Sequence, residues 1–147
     1  MNSFWQLNDD QKRIVLQQAS IKICLPVESV EKNLWVTAIL QSVFSLPYAN
    51  KFVFKGGTSL SKVWNRIERF SEDIDLAIDR SLFGLEGDLT VRQIKTLRKK
   101  SSLFVKEQVA ADLTKVLESS GMLQWCEVEP EEDGEGDRTY PEPRESL

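Results

Sequence analysis

Apolar and polar positions repeat along this chain with two periods, and the changes of period mark out its elements. Asn8 followed by Asp9, Asp10 and Gln11 reads as a helix start. The Asn8 side chain can cap, the acids favour the helix dipole, and Gln11 stands where a capping box wants it. Ile14, Val15, Ala19 and Ile23 continue an apolar face, and Pro26 ends the helix. A second helix is predicted from about Ser29 to Ser45. Val30, Leu34, Ile39 and Val43, with Trp35, Val36, Leu40 and Phe44 beside them, form its broad apolar stripe, and Pro47 closes it.

Phe52-Val53-Phe54 is short, β-prone and apolar, which predicts a buried strand. Gly56-Gly57 interrupts it, and a third helix starts at Thr58 or Ser59. Leu60, Val63, Trp64 and Ile67 repeat at i, i+3, i+4, i+7 and give that helix a core face, while Lys62 and Arg66 lie together on another. Ile74 to Ile78 reads as the second strand. Residues 80–88, with Gly84 and Gly87, read as a loop. Leu89 to Ser119 is helical with a break near Ser101-Ser102, and Gly121 is its C-terminal cap. Leu123 to Val128 reads as a third strand, followed by an acidic loop. No internal repeat is present.

At 147 residues and 41% hydrophobic the chain is one ordinary domain with enough apolar side chains for a core. No apolar run is long enough to cross a bilayer, and the N-terminus lacks signal-peptide character, so the expected setting is the cytoplasm with no membrane partner. Cys24 and Cys126 are too few for a disulfide scaffold or a zinc cluster and read as reduced thiols. There is no histidine, which excludes Ser-His-Asp and Cys-His catalysis and histidine-based zinc sites. Catalysis must come from carboxylates, Lys/Arg, hydroxyls and bound metal. The net charge of −4 is uneven. Residues 1–126 carry 17 Lys/Arg against 14 Asp/Glu, and residues 127–147 carry 2 against 9. A mildly basic body suits a polyanionic substrate.

The chemistry concentrates in Lys55-Gly56-Gly57-Thr58-Ser59-Leu60-Ser61-Lys62 and Arg69-Phe70-Ser71-Glu72-Asp73-Ile74-Asp75-Leu76. A strand, two glycines and a hydroxyl residue open a helix. Glycine lets the backbone approach a phosphate, and free amides at a helix N-terminus face the anion. Thr58 and Ser59 add hydroxyl donors. Fourteen residues separate Thr58 from Asp73, enough for a short helix and a return to the neighbouring strand. Side chains alternate on a strand, so Asp73 and Asp75 point to one side and Ile74 and Leu76 to the other. Two such carboxylates can share Mg²⁺, which prefers oxygen ligands and recruits substrate phosphates. Taken singly, Gly-Gly before a helix is also a plain turn, and Asp-x-Asp is also two solvated acids.

Together the two runs closely resemble the AbiEii/AbiGii family of nucleotidyltransferase toxins, members of the polymerase-β-like superfamily that act in bacterial type IV toxin–antitoxin and phage-defence systems. Glu31-Lys32-Asn33-Leu34-Trp35 looks like the family's upstream Glu-Lys-Asp-aromatic segment, with Asn33 in place of the usual Asp. The resemblance spans roughly residues 28 to 120. It implies an α+β nucleotidyltransferase fold, a small mixed β-sheet flanked by helices. Residues 1–48 would form N-terminal helices, 51–128 the catalytic core, and 129–147 an acidic loop and a truncated strand of one domain. It implies transfer of a nucleotide from an NTP to an RNA acceptor, with tRNA the precedent, or to a protein, and a possible cognate antitoxin. By motif match Gly56, Gly57, Thr58 and Ser59 hold the triphosphate, Asp73 and Asp75 bind Mg²⁺ and catalyse, and Arg69 and Ser71 flank them. Lys62 either contacts phosphate or is an ordinary surface lysine. Arg69 either orients an aspartate or caps its own loop.

The family fold supplies a third carboxylate from a strand after the acidic loop, about where Leu147 ends this chain. Asp79, Glu127 and Glu129 are poor substitutes on spacing. The alternative is therefore a catalytically incomplete nucleotide- or RNA-binding fragment of that family. Arg92, Lys95 and Lys99 form a helical basic cluster that reads as a solvated face before it reads as an RNA contact. Trp35 and Trp64 read as core, and the acidic tail as a loop.

Overall fold

The structure, a computed structural model, describes residues 2–56 and 73–131. In chain order its main elements are α1 (Asn2–Trp5), α2 (Asp9–Ile23), α3 (Val27–Phe44), β1 (Phe52–Lys55), β2 (Asp75–Ile78), α4 (Val91–Leu103) and α5 (Ala110–Ser119). Short 3₁₀ turns lie at Ala49–Lys51, Arg80–Phe83 and Met122–Gln124, and a π-helical segment, Phe104–Val109, joins α4 to α5. The expected helix opening at Thr58 or Ser59, with Leu60, Val63, Trp64 and Ile67, lies outside the described residues.

Local chemistry sets the helix ends. Gln11 N donates to Asn8 Oδ1 at 2.9 Å and Asn8 N donates to Gln11 Oε1 at 3.1 Å, so the capping box forms as its sequence requires. Thr90 and Gln93 build a second box at the start of α4. Cys24 turns left-handed at φ 54 to end α2 before Pro26, and α3 begins directly after that proline. Gly121, at φ 76, follows the end of α5, and its N–H reaches the Glu118 carbonyl at 3.0 Å.

Two apolar clusters share one floor. Trp5, Ala38, Leu117 and Met122 are buried in the first, with Leu34, Trp35 and Leu123 packed against them. Val43, Leu46 and Phe52 are buried in the second, with Leu76, Ile78 and Val116 against them. Ile39 of α3 and Leu113 of α5 contact both clusters, so this helix pair carries the sheet. Tyr48 locks the approach to β1: its hydroxyl donates to Asp112 Oδ2 at 3.1 Å, and its ring meets Phe52 and Phe104 edge-on. Burial and the Asp112 carboxylate push the Tyr48 hydroxyl up to about 12.

Four sequence expectations are corrected. The face of α2 that packs is centred on buried Leu16; Ile14, Val15 and Ile23 are 53%, 41% and 48% exposed. The apolar residues of α2 are divided between two sides, and only one side can meet α3. Leu123 to Val128 is not a strand: Met122–Gln124 closes a 3₁₀ turn after Gly121, and the chain continues without regular structure. Its apolar residues, Leu123, Cys126 and Val128, are satisfied by packing against the first cluster. The sheet among the described residues is two-stranded and antiparallel where a mixed sheet was expected. The break foreseen near Ser101 is instead the π-helical segment beginning at Phe104, which turns that ring towards Tyr48 and Phe83.

Candidate functional site

β1 and β2 pair in the register Phe52↔Ile78, Val53↔Ala77, Phe54↔Leu76 and Lys55↔Asp75. Alternation on each strand then sorts the eight residues. Phe52, Phe54, Leu76 and Ile78 share the inner face, where Phe52 is buried and Leu76 and Ile78 pack against the second cluster. Val53, Lys55, Asp75 and Ala77 share the other, and there Val53, Lys55 and Asp75 are exposed. The alternation expected for Leu76 and Asp75 is therefore present. Asp73, two residues ahead of β2, is exposed as well.

The register also brings the glycine turn to the acidic strand. Gly56 follows Lys55 directly and adopts φ 79, in the left-handed region. A Cβ built there would collide with Asp75 Oδ2 and would lie 3.1 Å from Asp75 Cγ and 3.3 Å from Asp75 Cβ. The Asp75 carboxylate thus lies directly over the Gly56 backbone, and only glycine leaves room for it. Of the predicted site residues, the structure brings Gly56 and Asp75 together and sets Asp73 next to them in the chain. Gly57, Thr58, Ser59, Lys62, Arg69 and Ser71 lie outside the described residues.

Lys55 was missed as a candidate. It stands directly across from Asp75, a cation beside the carboxylate on the exposed face. Its position in the motif gave no role; the strand register, which packs Leu76 and Ile78 against the core, sets it beside Asp75. Asp79 is accounted for differently. Its N–H donates to the Lys51 carbonyl at 2.7 Å, extending the ladder, and its side chain accepts from Ser81 N at 2.8 Å. Those bonds from Ser81 hold its carboxyl below the usual range, with Lys51 and Arg80 adding to the effect. It caps the 3₁₀ turn.

Among the described residues no group of three or more His, Cys, Asp or Glu is placed to hold a metal ion. Two exposed carboxylates on a common segment remain. That donor set fits Mg²⁺, which commonly takes one or two protein carboxylates and completes its shell with phosphate oxygens and water. It does not fit an all-protein cage.

An exposed Asp-x-Asp segment thus lies against a left-handed glycine in an α+β chain. The model of the family described as nucleotidyl transferase AbiEii toxin, type IV toxin–antitoxin system, matches residues 38–138, and the chain belongs to that family. The match includes every predicted site residue, whereas Glu31-Lys32-Asn33-Leu34-Trp35 falls outside it. Neither the curated proteins nor the solved structures give a match. No helix among the described residues is long and apolar enough to cross a membrane.

Proposed function

We propose that the chain transfers a nucleotide from an NTP to a hydroxyl of an acceptor, RNA with tRNA as first candidate or else protein, in a Mg²⁺-dependent reaction. In the reaction the acceptor oxygen forms a bond to the α-phosphorus, the bond from that phosphorus to the bridging oxygen breaks, and pyrophosphate leaves. The observation that carries this reading is the Asp75 carboxylate seated over Gly56, which joins the two halves of the motif into one edge. Asp73 and Asp75 would hold Mg²⁺, which when bound offsets charge on the triphosphate and the leaving group. The amide run after Gly56, with Gly57, Thr58, Ser59 and Lys62, would hold the triphosphate, and Arg69 and Ser71 would orient the acids. Lys55, across from Asp75, supplies positive charge on the face where polyphosphate must lie. The activity would serve a toxin restrained by a cognate antitoxin in the cytoplasm, within a toxin–antitoxin or phage-defence system.

The test is incubation with Mg²⁺, each α-labelled NTP and total tRNA, beside an Asp75→Asn variant. Label reaching RNA or protein with the wild type alone supports the reading and names the acceptor class. Equal labelling by both proteins would remove Asp75 from the chemistry. Nucleotide binding that leaves every acceptor unlabelled favours a binding module.

A further inference from the structure

Residues of α1, α2, α3 and the segment after α5 line a half-open cavity of about 280 Å³, among them Phe4, Trp5, Lys12, Glu31, Trp35 and Trp125. It shares no residue with the Gly56–Asp75 edge. Four of its lining residues are aromatic: Trp5 and Trp35 pack 4.4 Å apart with planes at 47°, and Phe4 meets Trp5 edge-on at 5.1 Å. One cation already occupies the box. Lys12 Nζ lies 3.1 Å from the centre of a Trp125 ring and 5.9 Å from that of Phe4.

Lys12 is a poor occupant. Its Nζ is buried and has no hydrogen-bond partner, although a primary ammonium carries three N–H donors that water would satisfy. Burial accordingly draws its pKa down, against the opposing charge of Asp9. A quaternary ammonium has no N–H to satisfy and is the natural load of aromatic faces. Two carboxylates give counter-charge here: Asp9, whose charge acts on Lys12, and Glu31, exposed and lining the cavity. The volume lies just under the roughly 300–1,000 Å³ of drug-sized pockets, so a small head group fits and a nucleoside triphosphate does not.

We propose that this aromatic box is a binding site for a small quaternary ammonium compound, and that Lys12 is its built-in competitor. The flexible stem of Lys12, on the water-facing helix α2, lets its ammonium swing into solvent as the ligand enters. The site is separate from nucleotide transfer and stands or falls independently of it.

Calorimetric titration of the 147-residue chain with choline, and with its uncharged isostere 3,3-dimethylbutan-1-ol, tests this. Choline is expected to bind saturably and the isostere about tenfold more weakly, because the π faces and Glu31 read charge and not shape. Lys12→Ala, which empties the box, is expected to bind choline about fivefold tighter or more, since the internal cation no longer competes. Glu31→Gln, at an exposed position that leaves the fold intact, is expected to weaken it. Trp125→Leu is expected to abolish it, with thermal melting confirming that the variant is folded. The proposal is overturned if neither wild type nor Lys12→Ala binds choline saturably, if the isostere matches choline, or if Lys12→Ala binds no tighter. Benzoate binding that Lys12→Ala abolishes would mark an anion site and overturn it equally.

Discussion

Gly56→Ala separates two physical effects at the candidate site, and the molecule contains its own control. An L-residue at φ 79 is strained by roughly 1–2 kcal/mol relative to glycine. Gly84 has nearly the same φ, 72, with nothing within 4 Å of a Cβ built on it. Gly84→Ala therefore reads the backbone cost alone, and whatever Gly56→Ala costs beyond it is the collision with Asp75. That excess is relieved only if the whole Asp75 side chain swings, because its Cγ and Cβ also lie 3.1 and 3.3 Å from the new methyl. We expect an excess of about 1–2 kcal/mol, in the range of overpacking in tight sites, and a displaced carboxylate. A misplacement of about 1 Å at a reacting centre can reduce rate about a hundredfold. Denaturant melts of Gly56→Ala, Gly84→Ala, Asp75→Ala and the Gly56→Ala/Asp75→Ala double variant close the cycle. In the double variant the cost at position 56 should fall towards that of Gly84→Ala, short of it by the contact with the remaining Cβ at 3.3 Å. If Gly56→Ala alone costs no more than Gly84→Ala and transfers label at the wild-type rate, the proposed contact is wrong.

Other predictions follow from the same geometry. Asp73→Asn and Asp75→Asn should each reduce transfer at least about a hundredfold while leaving melting temperature nearly unchanged; loss of the fold in a circular-dichroism melt would assign them a structural role instead. Leu117→Ala, at a side chain 1% exposed in the α3–α5 interface, should destabilise by about 2–5 kcal/mol, read as a lowered denaturation midpoint with unchanged m. The Tyr48 hydroxyl, raised to about 12 in the fold against about 10 unfolded, contributes stability that is fully present below pH 10 and lost as pH rises towards 12. Two units correspond to about 2.7 kcal/mol, and partial solvent access reduces this to about 1. Wild type should therefore lose more stability than Tyr48→Phe between pH 10 and 12, and parallel losses would refute the assignment.

The parts legible in the sequence were those fixed by local chemistry. Asn8 and Gln11 identify their own capping box, Pro26 separates α2 from α3, and Gly121 stops α5. Both strands were placed within a residue, and the motif order pointed to the family. What escaped depended on partners distant in the chain. Whether Ile14 or Leu16 faces inward is decided by α3, not by α2. Leu123 to Val128 carries the composition of a strand, but its apolar residues find the α1–α3–α5 cluster before they find a strand to pair with. Lys55 acquires its place only through the register with Asp75. Nothing local to Lys12 signals that its ammonium lies on the Trp125 ring.

The two-sided strand pair imposes a parity rule on change in this protein. Because Leu76 and Ile78 must face the core, a single residue inserted within β2 ahead of Leu76 exchanges the faces of the strand on one side of the insertion. Either the carboxylate of Asp75 is driven inward or the apolar pair is driven out. A two-residue change restores the alternation. Variation in β2 should therefore occur in even steps, and a chain that pairs out of register cannot carry Asp75 outward over Gly56. The core that stabilises the sheet also proofreads the edge.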